Sequence, residues 1–144
     1  MTETADLKSI FEHDEKFRGL MNRLFEIALT HSFDAMMITE NKPEYPVVFV
    51  NQSFTRITGY SNEDLVGRSP SVLQGPKTDR AVLDRLREDL AAGRMFHGVA
   101  VNYRKDGSEF LMEWKIAPVK DEREEITHFL AIQRDVSVST DRPA

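Results

Sequence analysis

The chain contains no cysteine. Disulfides, thiolate metal sites, iron–sulfur clusters and thiol nucleophiles are therefore excluded within it. It also lacks any apolar run near the roughly 20 residues that cross a bilayer. The first ten residues, MTETADLKSI, have neither the basic start nor the apolar stretch of a signal peptide. Basic clusters are missing too. The 19 lysines and arginines are interleaved with 24 acidic residues, for a net charge of −5, so a nucleic-acid partner is not expected, because gripping a phosphate backbone needs a basic face. Four histidines, His13, His31, His97 and His128, stand without metal-ligand spacing. His97, at a strand start, reads as a partly buried residue rather than a haem ligand. No Ser-His-Asp or phosphate-loop pattern occurs, and the carboxylates fall in helix first turns and in the loop from Asp121 to Glu125, where solvation accounts for them. These absences lead to the expectation of a cytoplasmic protein with no membrane span, no metal and no enzymatic activity.

What is present suits one α+β domain. The 144 residues are 40% hydrophobic and 30% charged, an ordinary globular balance, and a chain of this length buries roughly two-thirds of the surface it exposes when unfolded. From Asp6 to about His31, Leu7, Ile10, Phe17, Met21, Leu24 and Ala28 recur at spacings of three and four, with Asp14 at the one polar position. That is a heptad seam. A second row, Phe11, Leu20, Phe25 and Ile27, widens the stripe, which suits both a helix packed on its own domain and one that pairs with a second subunit. From Ala35 the period shifts toward two. Strands are expected over 35–39 and 47–50, separated by a turn at Pro43. Asn51 or Ser53 caps a helix that ends at Gly59, and Ser61 caps a short one that stops at Gly67. An irregular stretch, 68–76, precedes a helix capped by Thr78 or Asp79 that buries Val82, Leu83, Leu86 and Leu90 and ends at Gly93. Strands over 96–104, 109–119 and 126–136 finish the domain, the first two joined by an Asp106-Gly107 turn that signals a hairpin. Antiparallel strands with helices grouped between them define the α+β class.

Particular residues sharpen this outline. Val48-Phe49-Val50-Asn51-Gln52-Ser53-Phe54, followed by Thr58-Gly59-Tyr60, resembles the signature of PAS sensory domains. Asn102-Tyr103-Arg104-Lys105-Asp106-Gly107 is similar to that family's hairpin. Leu73-Gln74-Gly75-Pro76, with Thr78-Asp79-Arg80 and the closing Phe129 to Val136, resembles the light-oxygen-voltage (LOV) branch. The resemblance covers about 35–137 and implies a PAS fold: a five-stranded antiparallel sheet with helices on one face. It divides the chain into an N-terminal helical cap or dimerisation segment (1–33), a sensor domain (34–137) and a polar tail (138–144).

The same resemblance implies a flavin, FMN ahead of FAD. Carried over by position, Asn102 meets the pyrimidine edge of the ring, Gln133 lies beside O4 and N5, and Gln74 and Arg87 follow the ribityl–phosphate tail, with Leu73 in the same motif. Three positions depart from the pattern: Ser69 stands where an Asn is expected, Ser71 where an Arg would hold phosphate, and Met112 where a second ring-binding Asn belongs. Pro70 occupies the place of the reactive cysteine, so the family's cysteinyl adduct is excluded. Thiol-free chemistry is then left to electron donation from Trp114 or Tyr103 and to rotation of the Gln133 amide, which carries both a donor and an acceptor. The expected function is light or redox sensing in a homodimer formed through the N-terminal helix and an outer sheet face carrying Trp114, Ile116 and Phe129. The alternative is a flavin-free PAS module for dimerisation, protein interaction or another small ligand.

Overall fold

The computed structural model describes residues 15–137. They form two units that divide between Ser32 and Phe33. The first is helix α1 (Glu15–His31), which has no buried residue. Its apolar side is open: Leu20, Phe25 and Ile27 of the second row and Leu24 of the heptad seam are each between 46% and 60% exposed. Leu7, Ile10, Phe11 and Asp14 lie outside the described residues, as does the expected polar tail.

The second unit is a five-stranded sheet with its helices inserted between the second and third strands. The strands are β1 (Ala35–Glu40), β2 (Val47–Val50), β3 (Phe96–Tyr103), β4 (Glu109–Lys120) and β5 (Ile126–Asp135). Their spatial order is β2-β1-β5-β4-β3, and every pairing is antiparallel. The last strand therefore sits at the centre. Two short helices, α2 (Gln52–Thr58) and α3 (Asn62–Leu65), a 3₁₀ turn (Pro70–Leu73) and the longer α4 (Arg80–Ala91) make up the insertion. The 3₁₀ turn falls inside the stretch read as irregular, with Pro70 at its first position, where a missing N–H costs nothing.

Local chemistry explains the helix boundaries. Asn51 caps α2, and its side chain accepts hydrogen bonds from the N–H groups of Phe54 (3.0 Å) and Met36 (2.9 Å) while donating to the Asp34 carbonyl (3.1 Å). One buried amide thus ties β1, the end of β2 and α2 together. Gly59 ends α2 in the left-handed region (φ 82°), a conformation open to glycine at little cost. Ser61 and Asp64 form a reciprocal capping box on α3, and Asp79 rather than Thr78 caps α4. Thr78 is instead buried, donating to the Val101 carbonyl at 2.7 Å.

Burial alternates along the strands as a half-covered sheet requires: β3 buries Phe96, Gly98, Ala100 and Asn102 and turns His97 and Val99 outward. Helix α2 packs on β1 and α4 on β3. The core gathers Phe54, Leu65, Phe96, Phe110 and Phe129 beneath the helices, each contributing about 1.5–3 kcal/mol by leaving water. One expectation is corrected here. Trp114, Ile116 and Phe129 are buried in this core, not displayed on the outer face. They alternate in step with Met112 and Gln133, so whichever side those residues face, these three must share it. Apolar exposure on the opposite side comes from Val99, Val119 and Ile132.

Candidate ligand-binding site

Between the inner face of the sheet and α4 lies a cavity of about 450 Å³, within the range of small-molecule sites. The sheet contributes a wall abreast of its centre: Gln133 on β5 is paired with Trp114 on β4 and Ala35 on β1, and Ala131 with Ile116 and Met37. Helix α4 contributes Leu83, Leu86, Arg87 and Leu90, which is why its apolar stripe is only partly buried: Leu83 alone is in the buried class. The 3₁₀ turn and its flanks add Ser69, Pro70, Ser71, Leu73 and Gln74.

The residues assigned to the cofactor from the sequence, Ser69, Leu73, Gln74, Arg87, Asn102, Met112 and Gln133, line this one space together with Pro70 and Ser71. Their states differ. Ser69 caps the 3₁₀ turn, its hydroxyl 3.0 Å from that of Ser71 and accepting from the Ser71 N–H. Asn102 is buried and donates to the Ala100 carbonyl at 3.3 Å. Met112 is buried. The Arg87 side chain is 65% exposed and lies 3.2 Å from Asp84 one turn earlier. Tyr103, weighed as an electron donor, is not among the lining residues; Trp114, the other candidate, is. His97 lies outside the cavity with its Nε2 2.8 Å from Glu113.

The approach of the turn to the sheet is set by Gly75. A Cβ there would come within 2.2 Å of the Tyr103 ring, so only glycine lets the chain lie against β3. The Tyr103 hydroxyl accepts from the Lys77 N–H at 3.0 Å, and the Thr78 hydroxyl accepts from the Gly75 N–H at 3.0 Å. These contacts fix the segment that presents Gln74. On the far side of the domain, the hairpin from β3 to β4 is held to α2 and α3: Arg104 donates to the Ile57 carbonyl (2.9 Å), and Lys105 Nζ lies 2.9 Å from Asp64. The backbone N–H of Ser61, and after it the Lys105 ammonium, hold the Asp64 carboxyl below its ordinary value.

One atom stands out. Gln133 is 3% exposed, and its Oε1 has no hydrogen-bond partner among the described residues. A buried amide oxygen left without a donor is unfavourable by about 1–3 kcal/mol, and such atoms are uncommon enough to need a reason. Gln133 lines a cavity otherwise walled by Trp114, Ile116, Met112, Phe129 and Leu86, with Asn102 and Gln74 as further amides. Apolar walls with a few amides suit a flat ring with one polar edge. The residues present therefore fit a flavin ring.

Sequence reasoning had not included Tyr45, Glu44, Met37 and Thr39, which close the cavity from β1 and the loop after it. Met37 and Thr39 were recoverable from the alternation within β1. Glu44 and Tyr45 were not, since both sit in a turn with positive φ (69° and 50°) that no local pattern announces.

Comparison with known proteins agrees with this architecture. Residues 34–138 match the family described as PAS domain, and the chain belongs to that family. More narrowly, it is a LOV-type sensory domain. A solved LOV domain from an Erythrobacter litoralis blue-light-activated histidine kinase superposes with a TM-score of 0.69 at 31% identity, covering 72% of this chain and 96% of that one. Phototropin-2 of Oryza sativa subsp. japonica is 36% identical over 100 residues, 69% of this chain and 11% of that protein. Blue-light-activated histidine kinase 1 of Erythrobacter litoralis is 35% identical over 137 residues, 94% of this chain and 38% of that protein. The chain thus spans well under half of either full-length relative, and it corresponds to their sensor portion. Among the described residues no helix is long and apolar enough to cross a membrane.

Proposed function

We propose that this domain binds a flavin non-covalently in the cavity between sheet and α4, and signals light or redox state without a cysteinyl adduct. The observation that carries the reading is the orphaned Oε1 of Gln133, buried in the cavity wall. A bound flavin would supply blue absorption and a ring able to accept electrons. The chain's own residues would do the rest. Asn102, Gln74 and Gln133 offer amides, while Trp114, Ile116, Phe129 and Leu86 exclude water from the ring. FMN is preferred to FAD, whose adenylate half would extend beyond a space of about 450 Å³.

Gln133 is also the natural point of signal output. Its amide presents a carbonyl and an NH₂ group, so a half-turn exchanges acceptor for donor without moving the backbone. Its strand, β5, is the centre of the sheet, hydrogen-bonded to both β1 and β4. A change in what Gln133 must bond is therefore felt on both sides of the strand. Pro70 in the cavity lining has no nucleophilic atom, and the chain has no thiol elsewhere to replace it. The partner we propose is a second copy of the chain, joined through α1 and the outer sheet face, because Leu20, Leu24, Phe25 and Ile27 on α1 and Val99 and Ile132 on the sheet are exposed apolar surface.

The absorption spectrum of the purified protein tests the flavin reading. Bound oxidised flavin gives a structured blue band that stays with the protein through gel filtration. Protein that shows no such band, even after refolding with excess FMN or riboflavin, would leave the second reading: a PAS module acting through dimerisation alone, to which the same exposed residues of α1 would point.

A further inference from the structure

The charge distribution around the cavity is a finer guide to its ligand than its volume. Among the described residues only two charged ones line it, Glu44 and Arg87. Both are exposed, at the rim rather than in the wall. The Arg87 guanidinium already has a counter-charge, Asp84, 3.2 Å away. The rim thus holds one cation beside one anion, with a second anion in the lining, on a chain whose net charge is −5. A phosphate monoester, bringing about −1.5 to −2 charges at neutral pH, would meet a local balance that is already negative. The remaining polar groups of the lining are neutral hydroxyls and amides: Ser69, Ser71, Thr39, Gln74, Asn102 and Gln133. Hydroxyls and amides exchange hydrogen bonds with the hydroxyls of a polyol, and such bonds need no net charge.

We propose that the cavity does not select for the phosphate of its flavin, so that riboflavin, the uncharged polyol-bearing form, binds about as well as FMN. The inference rests on the flavin reading above. It assigns the rim a role in ligand choice: Asp84 and Glu44 cancel the attraction that Arg87 would otherwise exert on a phosphate.

The test is titration of the ligand-stripped full chain with riboflavin and with FMN, read by quenching of Trp114. This is the chain's sole tryptophan, 5% exposed and in the cavity wall. The expected result is that FMN binds no more than about threefold tighter than riboflavin. In the double variant Asp84→Asn with Glu44→Gln, the preference for FMN over riboflavin should rise by about tenfold. A preference for FMN beyond about threefold in the unmodified chain overturns the proposal and leaves the flavin reading standing. So does a double variant, shown to be folded by circular dichroism, whose preference does not move. If neither ligand binds, the flavin reading falls and this inference falls with it.

Discussion

Replacing Gln133 by leucine should change stability in opposite directions with and without ligand. In the ligand-free protein the Gln133 Oε1 is buried and unpartnered, and leucine removes that acceptor while filling similar space. Water entering a cavity of about 450 Å³ would soften the original penalty, which places the gain near the low end of the range for an unsatisfied group, about 1 kcal/mol. For a chain of this length that corresponds to a rise in Tm of about 3 °C. Apolar contact with Trp114, its neighbour in register on β4, adds to the same sign.

In the flavin-loaded protein the sign reverses. There Gln133 would be partnered by the ring edge, and leucine would leave a ring atom unsatisfied instead. A loss of about 1–2 kcal/mol of binding is about five- to thirtyfold in Kd. That loss appears as reduced stabilisation by ligand, since a ligand stabilises in proportion to the logarithm of its concentration over Kd. The assay is a pair of thermal melts, stripped and saturated with flavin, on wild type and Gln133→Leu, with flavin affinity measured separately. An unchanged flavin affinity would refute the argument, as would a stripped leucine variant that melts below wild type, because either result means the Gln133 amide is satisfied by the protein itself.

Four further outcomes are expected. The unmodified domain, loaded with flavin, should keep its blue band under blue light, whereas Pro70→Cys should bleach reversibly toward the near-ultraviolet; bleaching of that kind in the unmodified chain would overturn the placement of Pro70. The double change Met112→Asn with Ser69→Asn should tighten flavin binding by about tenfold or more, at about 1 kcal/mol per hydrogen bond gained, and no gain in a folded variant would mean these two positions do not reach the ring. Because the Asp64 carboxyl is held below its ordinary 3.8, it contributes stability above that pH which is lost as pH falls through its folded-state value; in urea melts, Asp64→Asn should be less stable than wild type near neutrality and converge on it below about pH 4. Leu24, 46% exposed on α1, should become glutamate only at the expense of self-association: light scattering should report a dimer for the unmodified chain and monomer for Leu24→Glu, and a monomeric wild type at micromolar concentration would defeat the dimer.

The order of elements was legible because local chemistry and tertiary demand agree along most of the chain. Asn51, Gly59, Ser61 and Asp79 each close or open a helix by a bond formed within four residues, so their meaning is visible without the fold. The Asp106-Gly107 turn is similar: the Asp106 carboxylate accepts from the Ser108 N–H at 2.9 Å, and Gly107 takes positive φ. Thr78 was harder. It and Asp79 are equally good caps by composition, and only the position of β3, whose Val101 carbonyl takes the Thr78 hydroxyl, decides between them. The 3₁₀ turn at 70–73 was missed for a related reason. Its hydrogen bonds are few, and the burial of Leu73 in the fold is not visible in local propensity.

For the site, parity along the strands carries more information than residue type. Hydrophobicity alone marked Trp114, Ile116 and Phe129 as candidates to cover an outer face, since a large apolar residue is at home on any covered surface. Yet Met112, Trp114 and Ile116 are two apart, as are Phe129, Ala131 and Gln133, and adjacent positions on a pleated strand cannot share a side. Once Gln133 is assigned inward, the other five follow, and the ring of apolar residues around its amide is fixed. The outward set is then equally determined: Val99 on β3, Val119 on β4 and Ile132 on β5, interspersed with His97, Glu113, Lys115 and Arg134. This outer face mixes charged with apolar side chains. The inner face keeps its polar atoms few and buried, and the one among them without a partner, Gln133 Oε1, lies on the strand both faces share. A change of hydrogen bonding at that atom has a short route out of the cavity, because the residues on either side of it in sequence, Ile132 and Arg134, already face the other way.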